Sequence, residues 1–486
     1  MNTKDYSSLI SKVWNYAHVL RDQGISYGDY VEQITYLLFL KMDEERSALL
    51  GEPSIIPAKY RWDKLANKDG DALELQYRHA LEELGKEPGL IGTIFRKAQN
   101  KLTDPAKLKR VVSLIADEGP WIGIGVDVKG QIYEGLLEKN ASEVKSGAGQ
   151  YFTSRPVIDA IVKCVNPKIG ETVCDPACGT GGFLLAAYDH MKTQSQDREK
   201  LRRLRHQAFQ GVDIVDEVVR LCAMNLYLHG IGNGGSPVRQ GDALAVAPAE
   251  RFNVVLTNPP FGKKSSYKVV GEDGQVSTER ENYEREDFKF TTSNKQLNFL
   301  QHIMTIMDSN GRAGVVLPDN ILFEAGKAGE GIRKRLLEQF DFHTLLRLPT
   351  GIWYSPGVKA NVLFFDKKAA SKEIQTKNLW IYDFRTNIHF TLKNNPLKPG
   401  DLNDFTSCYK KRKETERFKR FSYNELIQRE KLNLDIFWLK DDSLEDIDSL
   451  PAPDIIAAEI VENLEAALEQ FRAVEQELDD THDLSS

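Results

Sequence analysis

Residues 172–187 read TVCDPACGTGGFLLAA. A strand-like apolar run stops at Asp175-Pro176, passes through Gly179-Thr180-Gly181-Gly182, and resumes from Phe183 with apolar residues at helical spacing. Strand, glycine turn and helix start, in that order, let backbone approach a ligand closely. Glycine takes conformations that a side chain forbids, and the first N–H groups of a helix lack partners within it. A dinucleotide fingerprint fails, because the third glycine of Gly-x-Gly-x-x-Gly would fall on Leu184. A phosphate loop fails too, since no Lys-Ser/Thr pair follows the glycines. The glycines are instead preceded by an acid, Asp175, suited to a cationic group such as an ammonium.

Outward from this turn, residues 157–365 alternate apolar runs of strand type with helical ones. ETVCDP, FQGVDI, FNVVLTN, RAGVVLP, HTLLRLP and ANVLFFD read as strands. GGFLLAAYDHMK, DEVVRLCAMNLYLHG and NKQLNFLQHIMTIMD read as helices between them. This alternation predicts an α/β fold with a doubly wound, largely parallel, Rossmann-like sheet. In such sheets ligands sit beyond the carboxyl ends of the strands. The second strand ends at Asp213, placed for ribose hydroxyls, and the third region, RQGDALAV, offers Asp242 near an adenine. Each acid alone reads as a turn or cap. As an ordered set with the glycine turn they suit an adenosine ligand without phosphate, which points to S-adenosylmethionine.

The fourth strand runs into LTNPPFGKK at 256–264. An exocyclic amine on a nucleobase is a poor nucleophile, because its lone pair is delocalised into the ring. The Asn258 side-chain oxygen and the Pro259 carbonyl can accept its two hydrogens and localise the lone pair. Pro260 stiffens the turn and Phe261 offers a face for the base. A target in duplex DNA has to be flipped out first. Transfer to cytosine C5 would need a thiolate, usually in a Pro-Cys corner, and no Pro-Cys dipeptide occurs.

The chain has 486 residues, of which 41% are apolar and 28% charged, so two or three domains of ordinary composition are expected. Residues 1–145 read as a helical N-terminal domain, 146–400 as the methyltransferase domain, and 401–486 as a C-terminal region. A polar insertion at 262–295 shows no regular pattern and reads as a lid or disordered segment. In the C-terminal region a basic cluster occupies 409–420. A terminal helix at 453–479 carries a heptad seam of Ala457, Ile460, Leu464, Ala467, Phe471, Val474 and Leu478. That seam packs on its own chain or on another subunit. The five cysteines form no metal-ligand spacing, so no metal is expected. No apolar run is long enough for a membrane span or signal core, which makes the cytoplasm the default location. A net charge of −7 predicts that any DNA binding is local or shared with a partner.

Taken together, GQYFTSRPV, DPACGTGGFL, GVDIVDEVVRLCAMNLYLHG, GDAL, NPPF and LPTGIWYSPGVKANVLFF resemble the modification subunit of type I restriction–modification systems. These are adenine-N6 DNA methyltransferases. The resemblance implies that Gln150, Tyr151, Phe152 and Thr153, followed by Ser154 and Arg155, hold the methionine end of the cofactor. Ser154 stands where many relatives have Pro. The resemblance implies cofactor binding by Asp175, Gly179, Thr180, Gly181, Gly182, Phe183, Asp213 and Asp242, with Asp213 where the family often has Glu. It implies catalysis by Asn258, Pro259, Pro260 and Phe261. It also implies double-stranded DNA as substrate, a specificity subunit shared by two modification subunits, and a separate restriction subunit. Methylation of RNA or of a protein glutamine, or a catalytically silent scaffold, are the alternative readings.

Overall fold

The structure, a computed structural model, describes residues 27–51, 53–117, 153–232, 235–261, 266–270, 276–280, 283–353, 358–369, 371–392 and 395–440, together with 457, 460, 461, 464 and 468. The described residues fall into two compact units, one drawn from 1–152 and 166–257, the other from 153–165 and 258–486. None of the described helices is long and apolar enough to cross a membrane.

The first unit opens with helices α1 (Tyr27–Leu50), α2 (Trp62–Ala66), α3 (Gly70–Leu84), α4 (Gly89–Phe95) and α5 (Pro105–Asp117). Helix α6 (Arg155–Val165) belongs to the second unit. The first unit resumes with β1 (Val173–Asp175), α7 (Gly182–Lys192), α8 (Arg198–Gln207), β2 (Phe209–Asp213), α9 (Asp216–Leu228), β3 (Val238–Gln240) and β4 (Phe252–Thr257). Helix α9 begins with Asp216 and Glu217, whose charges favour a helix N-terminus, and then stays buried from Val218 to Leu228. A helix apolar on every side needs cover on every side. The N-terminal helices supply part of it: the Phe39 ring meets those of Phe95 and Tyr227 at 5.7 and 5.3 Å. The Tyr227 hydroxyl donates to Asp43 at 2.6 Å, and Arg96 pairs with Asp216 at 2.6 Å. The helical segment and the first strands therefore share one core.

The strands of this unit run in the order β4-β1-β2-β3, all parallel. The chain starts at β1, builds outward to β3, and returns to lay β4 on the other side of β1. The order reverses at β1, and in α/β sheets the crevice at the carboxyl ends of the strands at such a reversal is where ligands bind. Asp175 ends β1 and Thr257 ends β4.

The second unit contains a two-stranded hairpin, β5 (Ser266–Val270) and β6 (Val276–Arg280), then α10 (Lys295–Ile306), β7 (Met307–Pro318), α11 (Gly326–Gln339), β8 (Asp341–Leu348), β9 (Ala360–Asp366), β10 (Asn378–Asp383), α12 (Asn403–Lys411), β11 (Phe418–Ser422) and α13 (Tyr423–Ile427). Apart from the hairpin, its strands run in the order β11-β10-β8-β9-β7. Only the β8–β10 pair is parallel; β9 is antiparallel to β7 and β8, and β11 to β10. The expectation of a largely parallel sheet holds for the first unit and is corrected here. The link 349–359 is too short for a helical crossover, so the chain comes back antiparallel beside β8. The insertion 262–295 is not patternless either. Part of it pairs as the β5–β6 hairpin, and part packs: Arg285 pairs with Asp287 at 2.7 Å and Asn294 caps α10 by accepting from the Leu297 N–H. The basic cluster is divided between the end of α12 and β11, and Arg417 donates to the Asp383 and Thr386 carbonyls.

Two buried guanidiniums tie the late chain into this unit. Arg333, 1% exposed on α11, donates to the carbonyls of Ile321, Glu324, Lys431 and Leu432 at 2.8–3.2 Å. Lys431 and Leu432 are held at φ of 50° and 51°, in the left-handed region that side chains disfavour. Arg347, fully buried, donates to the Ile436 carbonyl at 2.9 Å and pairs with Asp435. Arg333→Leu leaves four carbonyls without their donor and releases the strained pair. It is expected to lower stability by about 3 kcal/mol in urea unfolding, with the loss read by probes in the second unit.

Candidate functional site

The glycine turn of the first unit is built around Asp175. Its side chain is 1% exposed, in register with Gly211 of β2, and accepts from the Ala177 N–H at 3.1 Å. Burial pushes its pKa up to about 7; Thr257 and the Ala177 N–H oppose the rise, and the charge of Asp213 adds to it. A carboxyl held back from ionising in this way gains most from a cation brought beside it. The turn itself needs glycine. Gly179 and Gly181 have φ of 51° and 88°, and a Cβ on Gly181 would come within 2.9 Å of the Cys222 sulfur. Helix α9 holds the turn from behind, with the Asn225 Nδ2 donating to the Thr180 carbonyl at 2.9 Å. Gly182 starts α7, and Phe183 is buried in the core.

Asp213 and Asp242 sit at the ends of β2 and β3, as expected. Both also perform the plainer task that each could have had alone. Asp213 accepts from the Gly179 N–H at 3.1 Å and from the Val215 N–H at 2.9 Å, and burial raises its pKa. Asp242 accepts from the Leu244 N–H at 2.8 Å. The structure thus ties Asp213 to the glycine turn through the Gly179 amide, while Asp175 holds the turn's start through the Ala177 N–H.

The corner 258–261 belongs to the second unit, with Thr153, Ser154 and Arg155. The Asn258 Nδ2 donates to the Thr153 hydroxyl at 2.8 Å. In this orientation the Oδ1 is the end that Thr153 does not engage. The Asn258 Oδ1 is shielded from solvent and has no hydrogen-bond partner among the described residues. Buried polar atoms are nearly always paired, and the neighbouring Ser154 Oγ and Thr257 Oγ1 lack partners as well, so this corner is short of hydrogen bonds. The Pro260 carbonyl receives the Gln296 side chain at 3.5 Å. Phe261, expected to present an open face, is 6% exposed and meets the Trp353 ring at 5.8 Å and 69°. Arg155 starts α6 and pairs with Asp159 at 3.2 Å. Gln150, Tyr151 and Phe152 lie outside the described residues. Sequence reasoning assigned no role to Thr257, Asn225, Gln296 or Trp353. Only Trp353 carried a signal, as an aromatic residue in the turn after a strand.

The arrangement offers a carboxyl and a glycine turn in one unit, and a fixed hydrogen-bond acceptor in the other. A family model described as N-6 DNA Methylase matches residues 125–441, and one described as HsdM N-terminal domain matches 9–115. The chain is 37% identical to the type I restriction enzyme EcoKI methylase subunit of Escherichia coli K12, covering 98% of this chain and 96% of that protein. The StySJI methylase subunit of Salmonella typhimurium LT2 is similar to the same extent, at 37% identity with the same coverage. Among solved structures, the EcoKI M protein covers 97% of the chain and 96% of its own, at 32% identity and a TM-score of 0.52. A chain of a type I R-M system covers 99% of both, at 28% identity and a TM-score of 0.69.

The raised pKa of Asp175 has a sign that can be tested without ligand. From about pH 4 to about 7 the folded chain keeps a proton that the unfolded chain has released, so stability falls as pH rises through that window. Asp175→Asn removes the titration. Its stability gain over the wild type is expected to be near zero at pH 4 and to grow to about 2–4 kcal/mol at pH 8, measured by urea unfolding at both pH values.

Proposed function

The chain belongs to the N-6 DNA methylase family, among its type I restriction enzyme methylase subunits, and on that premise we propose that it methylates the N6 amine of adenine in double-stranded DNA with S-adenosylmethionine. The chemistry of the donor set fits this cofactor. The buried Asp175 carboxyl suits its ammonium, Asp213 its ribose hydroxyls and Asp242 its adenine, while the turn at Gly179 and Gly181 admits close approach. Gln150, Tyr151, Phe152, Thr153, Ser154 and Arg155 complete the assignment at the methionine end. When bound, the cofactor supplies a methyl group on a cationic sulfur, which keeps the bond's electron pair on transfer.

Asn258 and Pro259 prepare the amine. The Asn258 Oδ1 accepts one N6 hydrogen and the Pro259 carbonyl the other, so the nitrogen lone pair leaves conjugation and points at the incoming methyl. After transfer the extra proton on nitrogen passes to solvent. Pro260 holds the corner rigid, and Phe261 supports the flipped base. The observation that carries this reading is the buried, unpartnered Asn258 Oδ1 with its Nδ2 locked onto Thr153. Preorganised groups of this kind act without reorganising when charge develops.

Sequence readout is assigned to a separate specificity subunit, two modification subunits to one, with cleavage left to a restriction subunit. The net charge of −7 suits a chain that shares its DNA contacts. The terminal seam is the proposed contact with the specificity subunit. Ala457, Ile460, Val461, Leu464 and Leu468 are helical and exposed, as a helix waiting for a partner would be. Ala467, Phe471, Val474 and Leu478 of the seam lie outside the described residues. In this assignment 1–145 is the N-terminal domain, 146–400 the transfer domain, and 401–486 the partner-facing region.

Asn258→Ala is expected to lower methyl transfer by the complex at least 100-fold while cofactor affinity stays within about threefold of the wild type. Scintillation counting of labelled methyl and calorimetric titration of the cofactor check the two halves, and full transfer by this variant would remove Asn258 from catalysis. The hairpin 266–280 follows the corner in the chain and is proposed to close over the flipped base. Protease cleavage within 266–280 is expected to slow when the complex binds DNA, and a rate unchanged by DNA would end that idea.

A further inference from the structure

A second polar atom beside the corner lacks a partner. Trp353, in the turn after β8, is 3% exposed, and its indole Nε1 is shielded from solvent without a hydrogen bond. An indole N–H left this way loses its bond to water and gains nothing in return. The ring stands at 69° to Phe261, with centroids 5.8 Å apart, and Phe261 is three residues from Asn258. A base lying flat on Phe261 would therefore meet the indole plane steeply, so the N–H can lie along the edge of the base.

Among the described residues, the Asn258 Oδ1 acceptor and the Trp353 Nε1 donor of the second unit both lack partners, as does the Ser154 hydroxyl. Adenine carries the matching pair on each of two edges. Its N6 amine donates, and a ring nitrogen beside it accepts: N1 on one edge, N7 on the other. We propose that Trp353 is a specificity-determining residue whose indole N–H donates to the ring nitrogen next to the N6 amine of the target adenine. The inference rests on the function proposed above and adds to it a reader of base identity. Asn258 meets the amine, and Trp353 meets the acceptor that distinguishes this base. Guanine would present oxygen to oxygen at Asn258. A contact to N7 would also separate adenine from cytosine, which has its amine and ring nitrogen on one edge only.

The test uses the complex of this chain with its specificity subunit. Its substrate is a duplex whose target adenine is replaced by 1-deazaadenine or by 7-deazaadenine, each lacking one ring nitrogen. Wild-type kcat/KM is expected to fall about tenfold on one analogue and little on the other, which identifies the edge. Trp353→Phe keeps an aromatic ring and removes the N–H. It is expected to lose about tenfold on natural DNA and nothing further on that same analogue. Melting temperature and cofactor affinity should stay near wild type. Losses from variant and analogue that multiply, or no wild-type loss on either analogue, overturn the proposal and leave Trp353 a packing residue. A wild-type complex that does not methylate the natural duplex would instead overturn the function itself.

Discussion

An amide side chain has one end that donates and one that accepts, and the two ends have nearly the same shape. Which end of Asn258 faces inward decides whether the corner can receive an amine. In the structure the Nδ2 donates to the Thr153 hydroxyl at 2.8 Å, which leaves the Oδ1 as the other end. Thr153 lies 105 residues earlier in the chain, just before α6, so the acceptor is set by tertiary structure and not by the tetrapeptide alone. Pro259 and Pro260 restrict the backbone, but only this bond orients the side chain. The cost of an unpaired Oδ1, about 1–3 kcal/mol, is carried by the rest of the unit and recovered when a donor arrives.

The first unit shows a second form of the same economy. Asp175 stays in a buried position that holds its carboxyl near neutrality, up to about pH 7. That carboxyl ends β1, the strand at which the order reverses. Both units thus hold a polar group in an unfavourable state, and each does so at the end of a strand or just beyond it.

The parts of the fold that were legible in the sequence are those with strong local punctuation. TVCDPACGTGGF and FNVVLTNPPF announce themselves because glycine and proline interrupt apolar runs whose spacing is clear. Strands β10 and β11 were not legible. NLWIYD is short and stands alone, and FKRFS is hidden within a charged cluster whose residues also end α12. The antiparallel return of β9 depends on a link length, which periodicity does not express. The hairpin β5–β6 is polar on its surface reading, so no apolar alternation marks it. At the site, the identities of Asn258 and Asp175 could be read, but not the orientation of one amide or the covering of Phe261 by Trp353. Those are properties of contacts between segments far apart in the chain.

The four carbonyls gathered by Arg333 come from two places, 321–324 and 431–432. During synthesis the first pair leaves the ribosome long before the second. Until residue 432 has emerged, a buried cation on α11 has only half of its acceptors, and the left-handed turn that completes the set does not exist. The strands of the second unit can pair earlier, but their final packing waits for Lys431 and Leu432.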